Sequence, residues 1–307
     1  MVTRLLSANA SEILKMNGAE LKQSILASEG RTIVSENVTG NPVGDGLTAS
    51  EYAAAFGADL ILLNGLDVFN PAIFGLYPSK TLVPEPQHDG ESVHHLQQLV
   101  GRPIGVNLEP VDVNADMQET REEIPAGRQA SEATFKEAER LGFNFVCLTG
   151  NPGTGVTNAQ IAENIKVAKR VFSGLIIAGK MQAAGVNEPV IDQEAAEAFL
   201  AAGADVILVP AVGTVPGLDE SDLKPIVKLV HAQGALVMSA IGTSQESSGA
   251  AYIAEVAVRN KVLGVDIQHI GDAGWGVQSP FENIYALSKA IRGERHALQR
   301  MARSINR

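Results

Sequence analysis

The chain has 307 residues, 45% of them hydrophobic and 19% charged, enough to bury a large core. Its formal charge of −11, from 24 basic and 35 acidic residues, argues against a general binder of nucleic acid or of anionic membrane surfaces. The N-terminus carries no apolar signal core, no apolar stretch is long enough to span a bilayer, and a single cysteine, Cys147, excludes an intramolecular disulfide, so a cytoplasmic setting is expected.

The first periodic segment covers residues 8–28, where Ile13, Leu14, Met16, Leu21, Ile25 and Leu26 fall at helical spacing. Eight short apolar runs follow: Thr32–Val38, Leu60–Asn64, Ile104–Leu108, Phe145–Thr149, Leu175–Lys180, Val206–Val209, Leu236–Ile241 and Val265–Ile270. Each lies just after a glycine: Gly30, Gly57, Gly101, Gly142, Gly174, Gly203, Gly234 and Gly264 in turn. Glycine is the residue that ends a helix with φ > 0 at little cost, so each unit reads as helix, glycine, strand. The runs are apolar throughout, as in parallel strands buried on both faces. Between them lie helical patterns such as Ser131–Leu141, Ala159–Val171 and Gln193–Ala202.

Eight such units, with no GxGxxG after the first strand, predict a (β/α)8 TIM barrel over an open doubly wound sheet. The organisation expected is one domain: an N-terminal helical extension over 1–29, the barrel over 30–278 and C-terminal helices over 279–307. The first helix covers the N-terminal mouth or starts the outer ring. The last two, near Pro280–Ile291 and Glu294–Ser304, carry Arg295, His296, Arg300 and Arg303. These cations fit a solvated face favouring the helix C-terminus, or a contact between subunits of a homo-oligomer.

Barrel chemistry sits in the loops after the strands. Two of those loops are long, Asn64–Leu99 and Glu109–Ser131, and loops of that length in a compact domain are usually functional. The strand ends supply Glu36, Asn64, Asp67, Asn107, Glu109, Asn151, Lys180, His269 and Asp272. A polar side chain at the end of a buried strand is costly unless paired or functional. Lys180 ends a greasy strand, where desolvation lowers its pKa. That suits a proton donor, a charge clamp or a Schiff-base nucleophile, and equally an ion pair with Glu109 or Glu36.

Gly242-Thr243-Ser244 after strand 7, with Gly271 and Gly274 after strand 8, form a candidate phosphate cradle of backbone N–H groups and hydroxyls, or two tight turns. Asp272 would repel a phosphate if it faced inward. Asp67 and Glu109 could bind Mg2+, whose ligands are carboxylate oxygens. Cys147, inside a strand, reads as an inert core residue. Thr157 and Gln160 could form a capping box. The adjacent pair His94-His95 cannot form an i, i+4 zinc pair, and no Ser-His-Asp, HExxH or CxxC pattern occurs.

Several strand words resemble the BtpA-like family of (β/α)8 proteins: Ile104-Gly105-Val106-Asn107, Gly142-Phe143-Asn144-Phe145-Val146 and Gly203 to Val209, followed by Ala211–Lys224. Strand 5 departs from that family, reading Gly179-Lys180-Met181-Gln182 in place of a His-rich pattern. The layout, with Asn64-Gly65-Leu66-Asp67, also resembles the phosphoenolpyruvate mutase and isocitrate lyase superfamily. That resemblance implies Mg2+ and acidic residues near strands 2 to 4 stabilising an enolate.

The function expected is an enzyme, lyase or isomerase, acting on a small phosphorylated or carboxylated metabolite by proton transfer or bond cleavage next to a carbonyl. Lys180 would stabilise the enolate and Glu109 or Glu36 would be the base. Asn64, Asn107, Asn151 and His269 would orient the substrate, and Gly242, Thr243, Ser244, Gly271 and Gly274 would hold its phosphate. A Mg2+-dependent lyase through Asp67 and Glu109, and a non-catalytic binding or assembly barrel, are the alternatives.

Overall fold

The computed structural model describes residues 2–44, 46–79, 81, 83–273 and 278–307. Eight parallel strands close into a barrel in chain order: β1 (Thr32–Val38), β2 (Leu60–Asn64), β3 (Ile104–Leu108), β4 (Phe145–Leu148), β5 (Leu175–Gly179), β6 (Val206–Pro210), β7 (Leu236–Ile241) and β8 (Ile267–Ile270). β1 pairs with both β2 and β8, which completes the circle. The (β/α)8 TIM barrel expected from the glycine-punctuated runs is the fold observed.

Each strand side chain faces either the barrel interior or the ring of helices. Val34, Leu62, Cys147, Ile177, Leu208, Met238 and Ile267 pack inside, whereas Ile33, Leu63, Val146, Ile176, Ile207 and Val237 join the layer beneath the helices. In the helix ring, Ser131 accepts from the Thr134 N–H ahead of α5 (Glu132–Leu141), Asp192 from Ala195 N–H ahead of α7 (Gln193–Ala202), and Thr157 from Gln160 N–H ahead of α6 (Asn158–Val171). The helices α3 (Ala49–Ala55), α4 (Ser92–Val100), α8 (Glu220–Ala232) and α9 (Ala250–Leu263) join α5 to α7 in the ring, and side-chain caps start all of these but α4 and α9.

Seven of the eight punctuating glycines have φ between 61° and 111°. Gly174 does not, and its requirement is different. A Cβ there would lie 2.4 Å from the Asn144 carbonyl oxygen and 2.7 Å from the Phe172 ring, so close approach of backbone fixes the residue.

Two short helices, α1 (Ala10–Ile13) and α2 (Gly18–Leu26), with the turn ahead of them, place Leu5, Ile13, Leu21 and Ile25 against the interior side chains of the strands. They cover the N-terminal mouth, the first of the two placements expected for this segment. The chain closes with α10 (Phe281–Ala302), broken at Gly293 (φ 74°, ψ 159°), so two helical stretches meet there. Among the described residues no helix is long and apolar enough to cross a membrane.

Candidate active site

At the C-terminal ends of the strands the interior positions become polar. The alternation that puts Val34, Leu62 and Gly105 inside puts Glu36, Asn64 and Asn107 inside one step further along. They open into a cleft of about 350 Å3. Its wall is completed by Asn151, Thr154, Met181, Gln182, Gly242–Ser244, Glu246, Gly271 and Asp272, and by Glu122, Glu123, Ile124 and Arg128 from the loop after β3. Among the described residues, the loop after β2 adds Gly65 to the cleft lining, and the loop after β3 adds these four.

Three asparagines form the floor. The Asn64 side-chain amide donates to Asn151 Oδ1 (2.9 Å) and Asp272 Oδ2 (3.0 Å), while Asn64 Oδ1 accepts from Asn107 Nδ2 (3.2 Å) and Asn151 Nδ2 (3.0 Å). Asn107 Oδ1 has no hydrogen-bond partner. Glu109 is buried beneath this network. Its Oε1 accepts from Arg128 Nη2 (2.7 Å) and Asn151 Nδ2 (2.8 Å), and its Oε2 accepts from the Asn151 N–H (2.8 Å). Three donors on two oxygens make Glu109 a clamp between β3, the β4 loop and the long loop, and it does not itself line the cleft.

Across the floor stands a second carboxyl. Glu36, 3% exposed, has Oε2 3.2 Å from Nε2 of the buried His269, an ion-pair distance without the alignment of a hydrogen bond. His269 Nδ1 also lacks a partner. Burial raises the Glu36 pKa above the ordinary carboxyl value; His269 opposes the rise, and Asp272 and Glu109 add to it. Glu246 is likewise 3% exposed, its Oε2 has no partner, and burial, with Asp272 and Glu36 contributing, raises its pKa as well. Beneath them, burial pushes the Cys147 thiol up, so the thiol form is favoured.

The cradle residues do line the cleft. Thr243 and Ser244 both have positive φ (58° and 74°), and the Thr243 hydroxyl donates to the Thr214 carbonyl (2.8 Å). Glu246 comes two residues after Ser244, with its carboxyl carbon 3.4 Å from where a Gly271 Cβ would be. Gly274 lies outside the described residues. Among the described lining residues, Arg128 is the only Lys or Arg, facing the carboxyls of Glu36, Glu122, Glu123, Glu246 and Asp272.

Lys180 and Asp67 are elsewhere. Ile176 and Ala178 of β5 face the helices, and Lys180 follows in the same alternation, while Met181 turns inward and packs on the interior cluster. The Lys180 ammonium is fully buried and pairs with Glu188 Oε1 (2.5 Å), not with Glu36 or Glu109. Burial lowers its pKa, against the opposing pull of Glu188. Asp67 caps its own turn, accepting from Phe69 N–H (2.9 Å) and Asn70 Nδ2 (3.2 Å). Among the described residues no three His, Cys, Asp or Glu are grouped to hold a metal ion.

Sequence reasoning missed Glu246, Met181 and Gln182 as cleft residues and the pairing of Glu36 with His269. Barrel closure carried the signal for the pair: β1 and β8 must be neighbours, and Val34, two residues before Glu36, is in register with His269.

Fold and site define a (β/α)8 barrel with an acidic, amide-floored cleft at its C-terminal end. The chain belongs to the family described as "Domain of unknown function (DUF7916)", whose sequence model matches residues 6–307. No curated protein matches it. Among solved structures, thiamine phosphate pyrophosphorylase from Pyrococcus furiosus is 14% identical, with a TM-score of 0.48 over 86% of this chain and 97% of that one. A 2,3-dimethylmalate lyase, a member of the PEP mutase/isocitrate lyase superfamily, is 15% identical, with a TM-score of 0.49 over 97% and 89%. The family differs in name from the BtpA-like family that the strand words resemble and from the superfamily that the layout resembles.

Proposed function

We propose that the chain is an enzyme of lyase or isomerase type that moves a proton next to a carbonyl of a small polar metabolite held in the mouth of its barrel. The observation that carries this reading is Glu36: a buried carboxyl with a raised pKa, beside an imidazole free of hydrogen bonds, at the wall of an enclosed cleft. Such a carboxyl keeps a proton closer to neutral pH than an ordinary glutamate, which suits it to general acid–base work, with His269 beside it at ion-pair distance. The free Oδ1 of Asn107 offers an acceptor to a substrate hydroxyl or amine, while the amide hydrogens of Asn64 and Asn151 are spent within the floor and hold it rigid. Arg128, in place of the Lys180 expected from the sequence, is the cation available to a developing enolate or a carboxylate. Glu109 positions Arg128 and Asn151.

The charge of the mouth bears on the substrate. Gly242, Thr243, Ser244 and Gly271, expected from the sequence to cradle a phosphate, line the cleft with Glu246 and Asp272 beside them. A phosphate dianion there meets like charges in a partly enclosed site, where they are weakly screened. A neutral or amine-bearing substrate, or one with a single carboxylate on Arg128, fits this balance better.

The test is solvent deuterium incorporation, followed by proton NMR, over a panel of small hydroxy ketones, amino ketones and 2-oxo acids. Exchange is expected for at least one class, and Glu36→Gln abolishes it while the variant unfolds as cooperatively as the parent. A parent protein that exchanges none of them and is stabilised by none overturns the reading.

A further inference from the structure

The opposite end of the barrel holds an unbalanced charge. Asp59, just ahead of β2, is buried and accepts from Arg292 Nη2 (2.6 Å) and from the Ile33 N–H (2.9 Å). Arg300 Nε lies 2.7 Å from its Oδ1, an ion contact not directed as a hydrogen bond. Arg102 packs beside the same carboxylate, donating to the Ala58 (2.9 Å) and Gly101 (3.1 Å) carbonyls. Arg300 Nη1 reaches the Ala8 carbonyl (3.3 Å), and the next residue, Asn9, accepts from Arg303 Nη1 (2.6 Å). Arg102, Arg292 and Arg300 are each at most 5% exposed; Arg303 is half-buried at the rim.

Arg292 and Arg300 therefore share one buried carboxylate, Arg102 and Arg303 add their charges beside them, and Arg303 alone also feels the exposed Glu12. The carbonyls satisfy individual N–H groups but bring no charge. Arginine does not escape by losing its proton, so the imbalance persists at every accessible pH. Nor are the donors all used: Arg300 Nη2, Arg292 Nε and Arg303 Nε are buried without a hydrogen-bond partner. Burial, then the neighbouring Arg300, lowers the pKa of Arg102, and burial lowers that of Arg300 with Asp59 opposing. Removing cations from water without a countercharge costs several kcal/mol apiece. Guanidinium forks match the oxygens of phosphate, sulfate and carboxylate, and bind them in pairs.

We propose that the N-terminal end of the barrel holds a small oxyanion, phosphate in the cell, between Arg300 and Arg303 with Arg102 and Arg292 behind them, and that it locks α10 to the ends of β2 and β3. The site is separate from the acidic mouth, and the inference does not rest on the function proposed for that mouth. Entry is past Arg303, and the burial of the other three arginines selects the free inorganic ion over a phosphate carried on a larger organic group.

The test is thermal unfolding of the whole chain at fixed ionic strength, titrated with inorganic phosphate, sulfate, glucose 6-phosphate or chloride. An ion that binds only the native state raises the melting temperature with its concentration. Phosphate and sulfate are expected to raise it, chloride and the sugar phosphate to do so little. Arg303→Gln, at the rim, weakens the apparent phosphate affinity about tenfold, equivalent to about 1.4 kcal/mol, while Thr243→Ala at the mouth leaves it unchanged. Phosphorus NMR of the dialysed protein checks for ion already bound. No rise with phosphate and no bound phosphorus overturns the proposal, as does a rise that survives Arg303→Gln or disappears in Thr243→Ala. A larger rise with the sugar phosphate overturns the enclosed site and points to the mouth.

Discussion

Glu109→Gln separates a clamp from a base. The carboxylate takes three donors: Arg128 Nη2 and Asn151 Nδ2 on Oε1, and Asn151 N–H on Oε2. An amide of the same shape has one oxygen, so its NH2 must face a donor whichever way it turns. With the nitrogen at Oε1 it meets Arg128; with the nitrogen at Oε2 it meets a backbone N–H. Turning the Asn151 amide does not help, because Asn151 Oδ1 already accepts from Asn64. At least one charge-assisted bond is lost, worth about 1.5–3 kcal/mol, and a donor is left facing a donor. Arg128 keeps some contact with solvent, so the total falls below the full cost of an unpaired buried charge. The expected loss is about 2–4 kcal/mol, read as a lower urea midpoint at unchanged m-value. Hydrogen exchange should rise across 109–131, where Glu109 N–H and carbonyl also hold Arg128 and Ala130. Unchanged stability, with activity lost through kcat alone, would refute the clamp and make Glu109 the base.

Glu36→Gln should stabilise the protein at neutral pH. The folded-state pKa of Glu36 is raised above the unfolded value, so its stability contribution is full below that value and falls as pH rises through the folded one. The urea midpoint of the variant should fall less with rising pH than that of the parent; equal slopes would refute the assignment. Lys180→Met should cost less than the ~3–5 kcal/mol of a fully buried broken pair, because Glu188 is partly exposed and keeps the Asn158 N–H. Its activity should be retained, and a loss of about 100-fold in kcat/KM would place Lys180 in the chemistry. Gly105→Ala puts a Cβ 2.1 Å from the Phe145 ring, so it should cost at least ~1–3 kcal/mol, partly recovered by Phe145→Leu; a neutral Gly105→Ala would show the barrel interior to be looser than drawn.

The barrel was legible because its punctuation is chemical: a helix end needs φ > 0, and a doubly buried strand is apolar throughout. That same apolarity hid the site. In Leu175-Ile176-Ile177-Ala178-Gly179-Lys180-Met181 nothing distinguishes interior from helix-facing positions, so Lys180, not Met181, read as the side chain at the mouth. One step of alternation reverses the assignment. Glu36, Asn64 and Asn107 were found because their polarity is unusual on either face. Glu246 was hidden in a polar loop, where a carboxylate is unremarked until the fold buries it. The C-terminal arginines looked like a solvated helix end, since no periodicity reveals that Arg292 and Arg300 face one aspartate 233 or more residues earlier.

The two charged ends should act independently. Asp59 and Asn64 bracket β2, and five residues at ~3.3 Å per residue separate the arginine cluster from the cleft floor by about 16 Å. That exceeds both the ~8 Å screening length at physiological salt and the ~7–10 Å within which substitutions usually couple. The effects of Glu36→Gln and Arg303→Gln on unfolding free energy should therefore add in the double variant to within about 0.5 kcal/mol. Phosphate should also stabilise Glu36→Gln as much as the parent. An interaction term above about 1 kcal/mol would mean that the strands transmit charge or strain between base and mouth, because no pair of groups is close enough to couple directly.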